Sequence, residues 1–256
     1  MPSRPNIASA LPFNRVHDLG YMTVITDDFL YGDLVGDDTA VLGGLGAAGW
    51  LVTDVVGSAD SDIDLISGSA TLKNHPGIIR LNTGPSSPQA NDESSLSLQN
   101  LNGLVLPDVT DGDRAAAEYI YMVTWVLFPT EITNHEFNFG LFDAADAAGR
   151  AVNGVSAEFD QSADLEWNLV VTDGSSSSAF PGSLVVAADT WQKIELFASE
   201  DHCALWVNNE FQAQTDVKTN IPDDEPLFPV YKVATEAAGE EEVHIDAFQA
   251  RIPVTR

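Results

Sequence analysis

Carboxylates are the side chains of this sequence with the greatest capacity for chemistry, since 39 of its 256 residues are Asp or Glu. Retaining glycoside hydrolysis needs two carboxyl groups about 5–5.5 Å apart. Side chains two residues apart in a strand lie on one face, so Glu158 and Asp160 of the strand-like segment Gly154–Asp160 are expected to face the same way. This segment is therefore the first place to look for carbohydrate chemistry.

Other catalytic patterns are missing from the sequence. It contains no GxSxG, GxxxxGK or HExxH pattern and no dinucleotide-binding fingerprint. We interpret the single cysteine, Cys203, as a buried and inert thiol at the start of a strand. The histidines stand far apart in the sequence, and we interpret them as structural; they are His17, His75, His135, His202 and His244. We therefore assign no catalytic residue and no cofactor-binding residue.

Clusters of acids raise the question of a hard cation, because Ca²⁺ takes oxygen ligands supplied largely by loops. Four clusters have a suitable composition, and they are Asp27-Asp28, Asp60-Ser61-Asp62-Ile63-Asp64, Asp111-Gly112-Asp113 and Asp223-Asp224-Glu225. None has the ligand spacing of an EF-hand loop, and a chain with so many acids forms clusters by chance. Binding of Ca²⁺ is kept as an alternative, and no metal ligand is assigned.

The charge balance excludes several kinds of partner. Only 11 Lys and Arg stand against the acids, and the net charge of -28 repels a phosphate backbone. No apolar run approaches the roughly 18 residues that a membrane helix needs, and the Pro-containing N-terminus lacks the apolar stretch of a signal peptide. One cysteine permits neither an internal disulfide nor a two-cysteine zinc site. We expect a soluble chain with no nucleic-acid or membrane partner.

The acidity also bears on the environment of the protein. With 44% apolar residues, the chain has enough material for a core, so the charge must lie mostly on its surface. Surfaces rich in acids and poor in lysine suit concentrated salt, where the Debye length shrinks to about 3 Å at 1 M. We expect a marine or hypersaline setting; an ordinary acidic protein from a low-salt source is the alternative.

Alternation of apolar and polar residues predicts an all-β protein. In Trp191–Ser199 the residues Ile194, Leu196 and Ala198 share one face. The pair Asn208-Asn209 suits a tight hairpin turn between strands at about 202–207 and 210–215. About fourteen strands of this kind predict one two-sheet antiparallel jelly-roll sandwich over residues 27–256. Two polar stretches, 82–95 and 173–178, are interpreted as loop tips that can carry a binding site.

The first 26 residues differ from the rest of the chain. Arg4, Arg15 and Asp18 give this segment a charge of +1, which leaves -29 on the remainder. We predict an extended N-terminal arm that pairs electrostatically with a neighbouring acidic subunit. A floppy terminus, of the kind that most domains have, is the alternative.

Several motifs in order resemble one family. Over about residues 27–250 the chain resembles concanavalin A-like sandwich proteins encoded by tailed bacteriophages and related viruses. The segments that carry the resemblance are DDFL (27–30), GLGAAGW (44–50), HPGIIRLNTG (75–84), FNFGLFDAADA (137–147), GVSAEFD (154–160), LEWNLVV (165–171), DTWQKIEL (189–196), LWVNNEF (205–211) and TNIPDDEPLFP (219–229). The resemblance implies a non-enzymatic virion protein, such as a capsid decoration, head-fibre, neck or tail component. It implies capsid or tail partners, a homo-oligomer and assembly in the host cytoplasm.

The β-glucanases of the same fold place their catalytic acids on one strand as E-x-D-x-x-E. The nearest match here runs from Glu158 to Ala163, and Ala163 stands where the last Glu is required. The chain is therefore expected not to be an enzyme. The first alternative to a virion protein is a carbohydrate-binding module, because the Trp residues that we assign to core positions are also the type that stacks on sugars. These are Trp50, Trp125, Trp167, Trp191 and Trp206. A polysaccharide hydrolase or lyase with an unrecognised site is the other alternative.

Overall fold

The computed structural model describes residues 22–27, 29, 50–55, 62–66, 77–84, 93–98, 104–107, 119–129, 132–143, 153–174, 176–223, 225–235 and 240–253. Within these ranges lie fifteen strands and a short 3-10 turn, Lys218–Asn220. The strands are β1 (Met22–Asp27), β2 (Leu51–Val55), β3 (Asp62–Ile66), β4 (Ile78–Asn82), β5 (Glu93–Ser97), β6 (Ile120–Leu127), β7 (His135–Phe142), β8 (Gly154–Asp160), β9 (Glu166–Asp173), β10 (Ser176–Val185), β11 (Gln192–Ala198), β12 (Cys203–Val207), β13 (Glu210–Thr215), β14 (Phe228–Thr235) and β15 (Glu242–Pro253). No helix in the described part of the chain is long and apolar enough to cross a bilayer.

The strands form two antiparallel sheets. The eight-stranded sheet runs β13-β12-β11-β6-β15-β4-β3, and β1 also pairs with β15. The seven-stranded sheet runs β10-β9-β8-β7-β14-β5-β2. The predicted all-β, two-sheet antiparallel sandwich is therefore confirmed.

The core lies between the sheets and is built largely from aromatic rings. Trp50 packs against Tyr231 and Phe248 at centroid distances of 5.3 and 4.9 Å, and Tyr231 stacks on Phe139 at 4.9 Å. One polar chain also crosses the core: the Tyr231 hydroxyl donates to Thr124 Oγ1 at 2.8 Å, and the Thr124 hydroxyl donates to the Ala247 carbonyl at 3.0 Å. Strands from both sheets are therefore joined by packing and by hydrogen bonds.

Several local expectations are confirmed. Ile194, Leu196 and Ala198 of β11 are buried, and the residues between them face outward. Asn208 and Asn209 have φ values of 55° and 66° in the turn between β12 and β13, the left-handed region that a tight hairpin needs. The core assignment of the tryptophans is confirmed for Trp50 and Trp167, which are fully buried. It is wrong for Trp125, Trp191 and Trp206, which are half-buried and lie outside the core cluster.

One loop assignment is wrong. The serine-rich stretch predicted as a loop tip at 173–178 lies mostly in strands, because Ser176–Ser178 begin β10 and pair with residues 171–173 of β9. β10 is an edge strand, so serines there meet solvent and the sequence shows no apolar alternation. The end of the other predicted tip, 82–95, also enters a strand, since β5 begins at Glu93; residues 85–92 lie outside the described residues.

The predicted N-terminal arm overlaps the sheet at its end. Residues 22–26 lie in β1, where Met22–Asp27 pair with Phe248–Pro253 of β15. Residues 1–21 lie outside the described residues. The division into an arm at 1–26 and a sandwich at 27–256 stays a prediction.

Candidate functional site

Polar side chains line up across the outer face of the seven-stranded sheet. In β7, β8 and β9 the residues Phe137, Phe159 and Trp167 point into the core, so their strand neighbours face outward. The register aligns five outward side chains on adjacent strands, which we call the polar row: Ser95, Lys232, Asn138, Glu158 and Asn168. Strand pairing thus gathers residues that are far apart in the sequence.

The polar row is shielded from bulk water although it faces away from the core. Asn138, Glu158 and Asn168 are only 5%, 4% and 4% exposed. Side chains on an open sheet face keep far more contact with solvent, so other parts of the chain cover the row. Polar groups in such a place need hydrogen-bond partners.

Carboxylates beside the row orient its amides. Asn138 Nδ2 donates to Glu136 Oε1 at 3.0 Å, and Asn168 Nδ2 donates to Asp164 Oδ1 at 3.0 Å. With each nitrogen engaged, the orientation of the amide is set and its oxygen is an acceptor. At the other end of the row, Lys232 Nζ lies 2.7 Å from Glu93 Oε1. The polar row therefore consists of donors and acceptors held in fixed orientations.

In the E-x-D-x-x-E-like segment, Glu158 lies opposite two amides, and Asp160 lies opposite Glu136 of β7. The direct cross-strand neighbours of Glu158 are the amides Asn138 and Asn168. Asp160 Oδ1 instead accepts the backbone N–H groups of Ser162 at 3.0 Å and Ala163 at 3.1 Å, together with the Ser162 hydroxyl at 2.8 Å. Asp160 thus stabilises the turn after β8, and Ala163 lies in that turn.

The acidic clusters do not form a metal centre in the described part of the chain. No group of three or more His, Cys, Asp or Glu side chains there is placed to hold a metal ion. Asp27 Oδ1 accepts the backbone N–H of Phe29 at 2.8 Å, which is a local turn contact. Asp62 and Asp64 lie in β3, and Asp223 and Glu225 are exposed. The remaining cluster residues lie outside the described residues: Asp28, Asp60, Asp111, Asp113 and Asp224.

The three described histidines each pair with an acid. His135 Nδ1 lies 2.7 Å from Glu241 Oε2, and both side chains are buried. His202 pairs with Asp216, and His244 pairs with Glu242. The other two, His17 and His75, lie outside the described residues.

The cysteine is buried, as predicted. Cys203 Sγ donates to the Ser199 carbonyl at 3.7 Å. Burial raises the pKa of the Cys203 thiol to about 12, so the nucleophilic thiolate is disfavoured at neutral pH.

Glu158 belongs to a short motif within one strand, but the rest of the polar row does not. Asn138, Asn168 and Lys232 lie in β7, β9 and β14 and form no local motif. Their alternation with buried apolar residues marks them as outward-facing. Only the strand order and register place them side by side.

No family model matches the chain, and no curated protein matches it either. Solved structures do match. A Shewanella oneidensis MR-1 protein of unknown function aligns with a TM-score of 0.56 at 11% identity, over 92% of this chain and 89% of its own.

Two further matches are to proteins with described activities or domains. The carbohydrate recognition domain of Emp47p aligns with a TM-score of 0.53 at 15% identity, over 93% of this chain and 99% of its own. A prokaryotic beta-1,3-1,4-glucanase (lichenase) derived from a mouse hindgut metagenome aligns with a TM-score of 0.55 at 12% identity, over 91% of this chain and 100% of its own. Likeness at these identities shows the fold: the chain is a concanavalin A-like sandwich of the type found in lectins and glucanases.

Proposed function

We propose that this protein binds carbohydrate without cleaving it, through the polar row on the outer face of the seven-stranded sheet. The observation that carries the proposal is the alignment of Asn138, Glu158 and Asn168 on three adjacent strands, outward-facing and almost fully shielded. The fold supports it, because a carbohydrate recognition domain and a lichenase share this sandwich.

The chemistry of the row suits selective recognition of hydroxyl groups. The oriented Asn138 and Asn168 amides have acceptor oxygens, and Glu158 and Lys232 add charged groups that have partners within the chain. A ligand that displaces the present partners of these shielded groups without replacing their hydrogen bonds costs about 1–3 kcal/mol for each group. Discrimination therefore comes from the polar groups and does not require a large apolar contact.

The non-enzymatic part of the proposal rests on the surroundings of Glu158. A retaining glycosidase needs a second carboxyl group about 5–5.5 Å away. Here the direct cross-strand neighbours of Glu158 are amides, and Ala163 carries no carboxylate. The other acids on this face have local partners: Glu136 accepts from Asn138 Nδ2, and Asp160 is engaged in a turn. We expect no release of reducing sugars or unsaturated ends from a panel of polysaccharides.

A glycan array followed by titration of the best ligand tests the binding proposal. Asn138→Ala and Asn168→Ala each remove one oriented amide, and we expect each to weaken binding about tenfold, the equivalent of about 1.4 kcal/mol. Thr219→Ala is the control, because Thr219 is an exposed polar residue in the 3-10 turn and belongs to neither sheet. A blank array, or equal affinity of all three variants and the parent, contradicts the proposal.

We also propose a structural role in a virus particle, compatible with glycan binding. The ordered motifs from Asp27 to Pro229 support it through their resemblance to virion sandwich proteins of tailed phages. In this role the protein binds capsid or tail proteins of the same particle, self-associates and reaches the virion from the host cytoplasm.

The virion role has its own test. Mass spectrometry of purified particles from the source is expected to detect the chain, and the neighbouring genes are expected to encode terminase, portal or capsid proteins. A polysaccharide-utilisation gene cluster around this gene would overturn the virion role and leave glycan binding intact.

A further inference from the structure

Aromatic side chains form a continuous line across the outer face of the eight-stranded sheet. Tyr121 of β6, Phe197 of β11, Trp206 of β12 and Phe211 of β13 occupy outward positions, and we call these four residues the aromatic ladder. Successive ring centroids lie 4.7, 4.9 and 5.3 Å apart. This face is opposite to the one that carries the polar row.

The aromatic ladder is accessible and already ordered. Phe211 is 50% exposed, and the other three rings are half-buried. Neighbouring rings are tilted by 49° to 73°, so each ring rests against the next. Rings that are held in this way lose little side-chain entropy when a ligand binds.

Hydrogen-bonding groups border the aromatic ladder. Glu195 Oε1 accepts the Tyr121 hydroxyl at 2.7 Å and lies 2.8 Å from Lys193 Nζ. Lys193 Nζ also donates to Asn209 Oδ1 at 3.1 Å. Arg251 lies over the Tyr121 ring, with its guanidinium carbon 5.4 Å from the ring centroid. The aromatic ladder therefore combines apolar rings with a few fixed polar groups beside them.

We propose that the aromatic ladder is a second glycan-binding site, which takes an extended neutral polysaccharide. The proposal rests on the proposed function and adds a separate surface to it. Sugar rings stack their apolar faces on aromatic rings. Their hydroxyls then point sideways from the sugar ring, toward groups such as Glu195, Lys193 and Asn209. Two glycan sites on opposite faces allow one molecule to bridge chains or to gain avidity on a polymer.

Other occupants fit this surface less well. The net charge of -28 opposes docking of nucleic acid or acidic sugars in dilute salt. A stable protein interface buries about 800 Å² on each partner, whereas the ladder is a single row of rings with an ion pair at its side. A linear, uncharged ligand matches that shape and charge.

Affinity electrophoresis in gels that contain mixed-linkage β-glucan, xylan, galactomannan or alginate tests this proposal. Phe211→Ala and Trp206→Ala each remove one ring, and we expect each to raise the dissociation constant for the retarding neutral polymer about tenfold. Leu165→Ala is the control, because Leu165 is a 45% exposed apolar residue in the turn before β9 of the other sheet. Phe211→Ala serves as the main variant since its ring is the most exposed, and thermal melting confirms that the variants are folded.

The outcomes separate the second site from the proposed function. Unchanged retardation of Phe211→Ala and Trp206→Ala, together with lost retardation of Asn168→Ala, overturns the second site and keeps the proposed function. No retardation by any polymer overturns both. Retardation by alginate alone, or a concentration-dependent dimer that Phe211→Ala abolishes, overturns the neutral polysaccharide as the occupant.

Discussion

The hydrogen-bond chain through the core gives a prediction whose size follows from the structure. Tyr231 in the seven-stranded sheet donates to Thr124 in the eight-stranded sheet at 2.8 Å, and both residues are fully buried. Tyr231→Phe removes this hydrogen bond but keeps the ring and its stacking on Phe139. Thr124 still donates to the Ala247 carbonyl, so we expect a loss of about 1 kcal/mol in the free energy of unfolding.

Thr124→Val is expected to cost more, although it keeps the shape of the side chain. It leaves the Tyr231 hydroxyl without a hydrogen-bond partner in the core and removes the donor to the Ala247 carbonyl. Each buried polar group left without a partner costs about 1–3 kcal/mol, so a loss of about 2–3 kcal/mol follows. The double variant no longer contains the unpaired Tyr231 hydroxyl. We expect its loss to be smaller than the sum of the two single losses by about 1 kcal/mol.

Urea unfolding of the parent, the two single variants and the double variant measures this coupling. Thermal melting checks it, because each kcal/mol of lost stability lowers the melting temperature by about 2–4 °C. Tyr121→Phe is the control, because the Tyr121 hydroxyl bonds Glu195 on the outer face of the sheet, away from the Tyr231–Thr124 pair; combined with Thr124→Val, its loss should be additive. Additivity of the two core substitutions within about 0.3 kcal/mol would refute the reasoning, because it would mean that the two hydroxyls do not stabilise each other.

Three further predictions concern the backbone, pH and salt. Gly140→Ala should destabilise the protein by about 3 kcal/mol in urea unfolding, because the added Cβ would lie 2.2 Å from the Val155 carbonyl oxygen and 2.6 Å from Ser156 Cα; a loss below about 1 kcal/mol contradicts this. Burial raises the pKa of Cys203 from 9.0 to about 12, so the unfolded chain loses this proton first and stability falls as the pH rises from about 9 to 12. Cys203→Ala should flatten that part of the stability curve, and an unchanged slope would show that the thiol does not contribute. The melting temperature should rise from dilute to molar NaCl, because screening weakens the repulsion within a chain of net charge -28; a flat curve would count against the saline interpretation.

Much of the fold could be predicted because strand signals are local. The alternation in Trp191–Ser199 places β11 and its buried face correctly, and Asn208-Asn209 adopt the left-handed turn expected of them. Ser176–Ser178 were assigned to a loop because polar residues dominate there. Those serines instead lie in the edge strand β10, where solvent on one side removes the need for apolar residues.

The candidate site could be predicted only in part, and for a different reason. Glu158 stood out through a short motif within one strand, and Ala163 already argued against paired-carboxylate catalysis. Asn138 and Lys232 lie 20 and 74 positions away from Glu158 in the sequence. Nothing in their local sequence says which strands will become neighbours, because strand order is chosen by packing of the whole core.

By itself, the sequence determined the acidic surface, the all-β class and the alternation that separates core-facing from outward-facing residues, since these depend on composition and on a two-residue period. The tertiary structure alone decided which outward residues meet. Register places Asn138, Glu158 and Asn168 on one face, and the order β13-β12-β11-β6 brings Phe211, Trp206, Phe197 and Tyr121 into contact on the other. Both surfaces arise from hydrogen bonds between distant strands, which the burial of a common core selects.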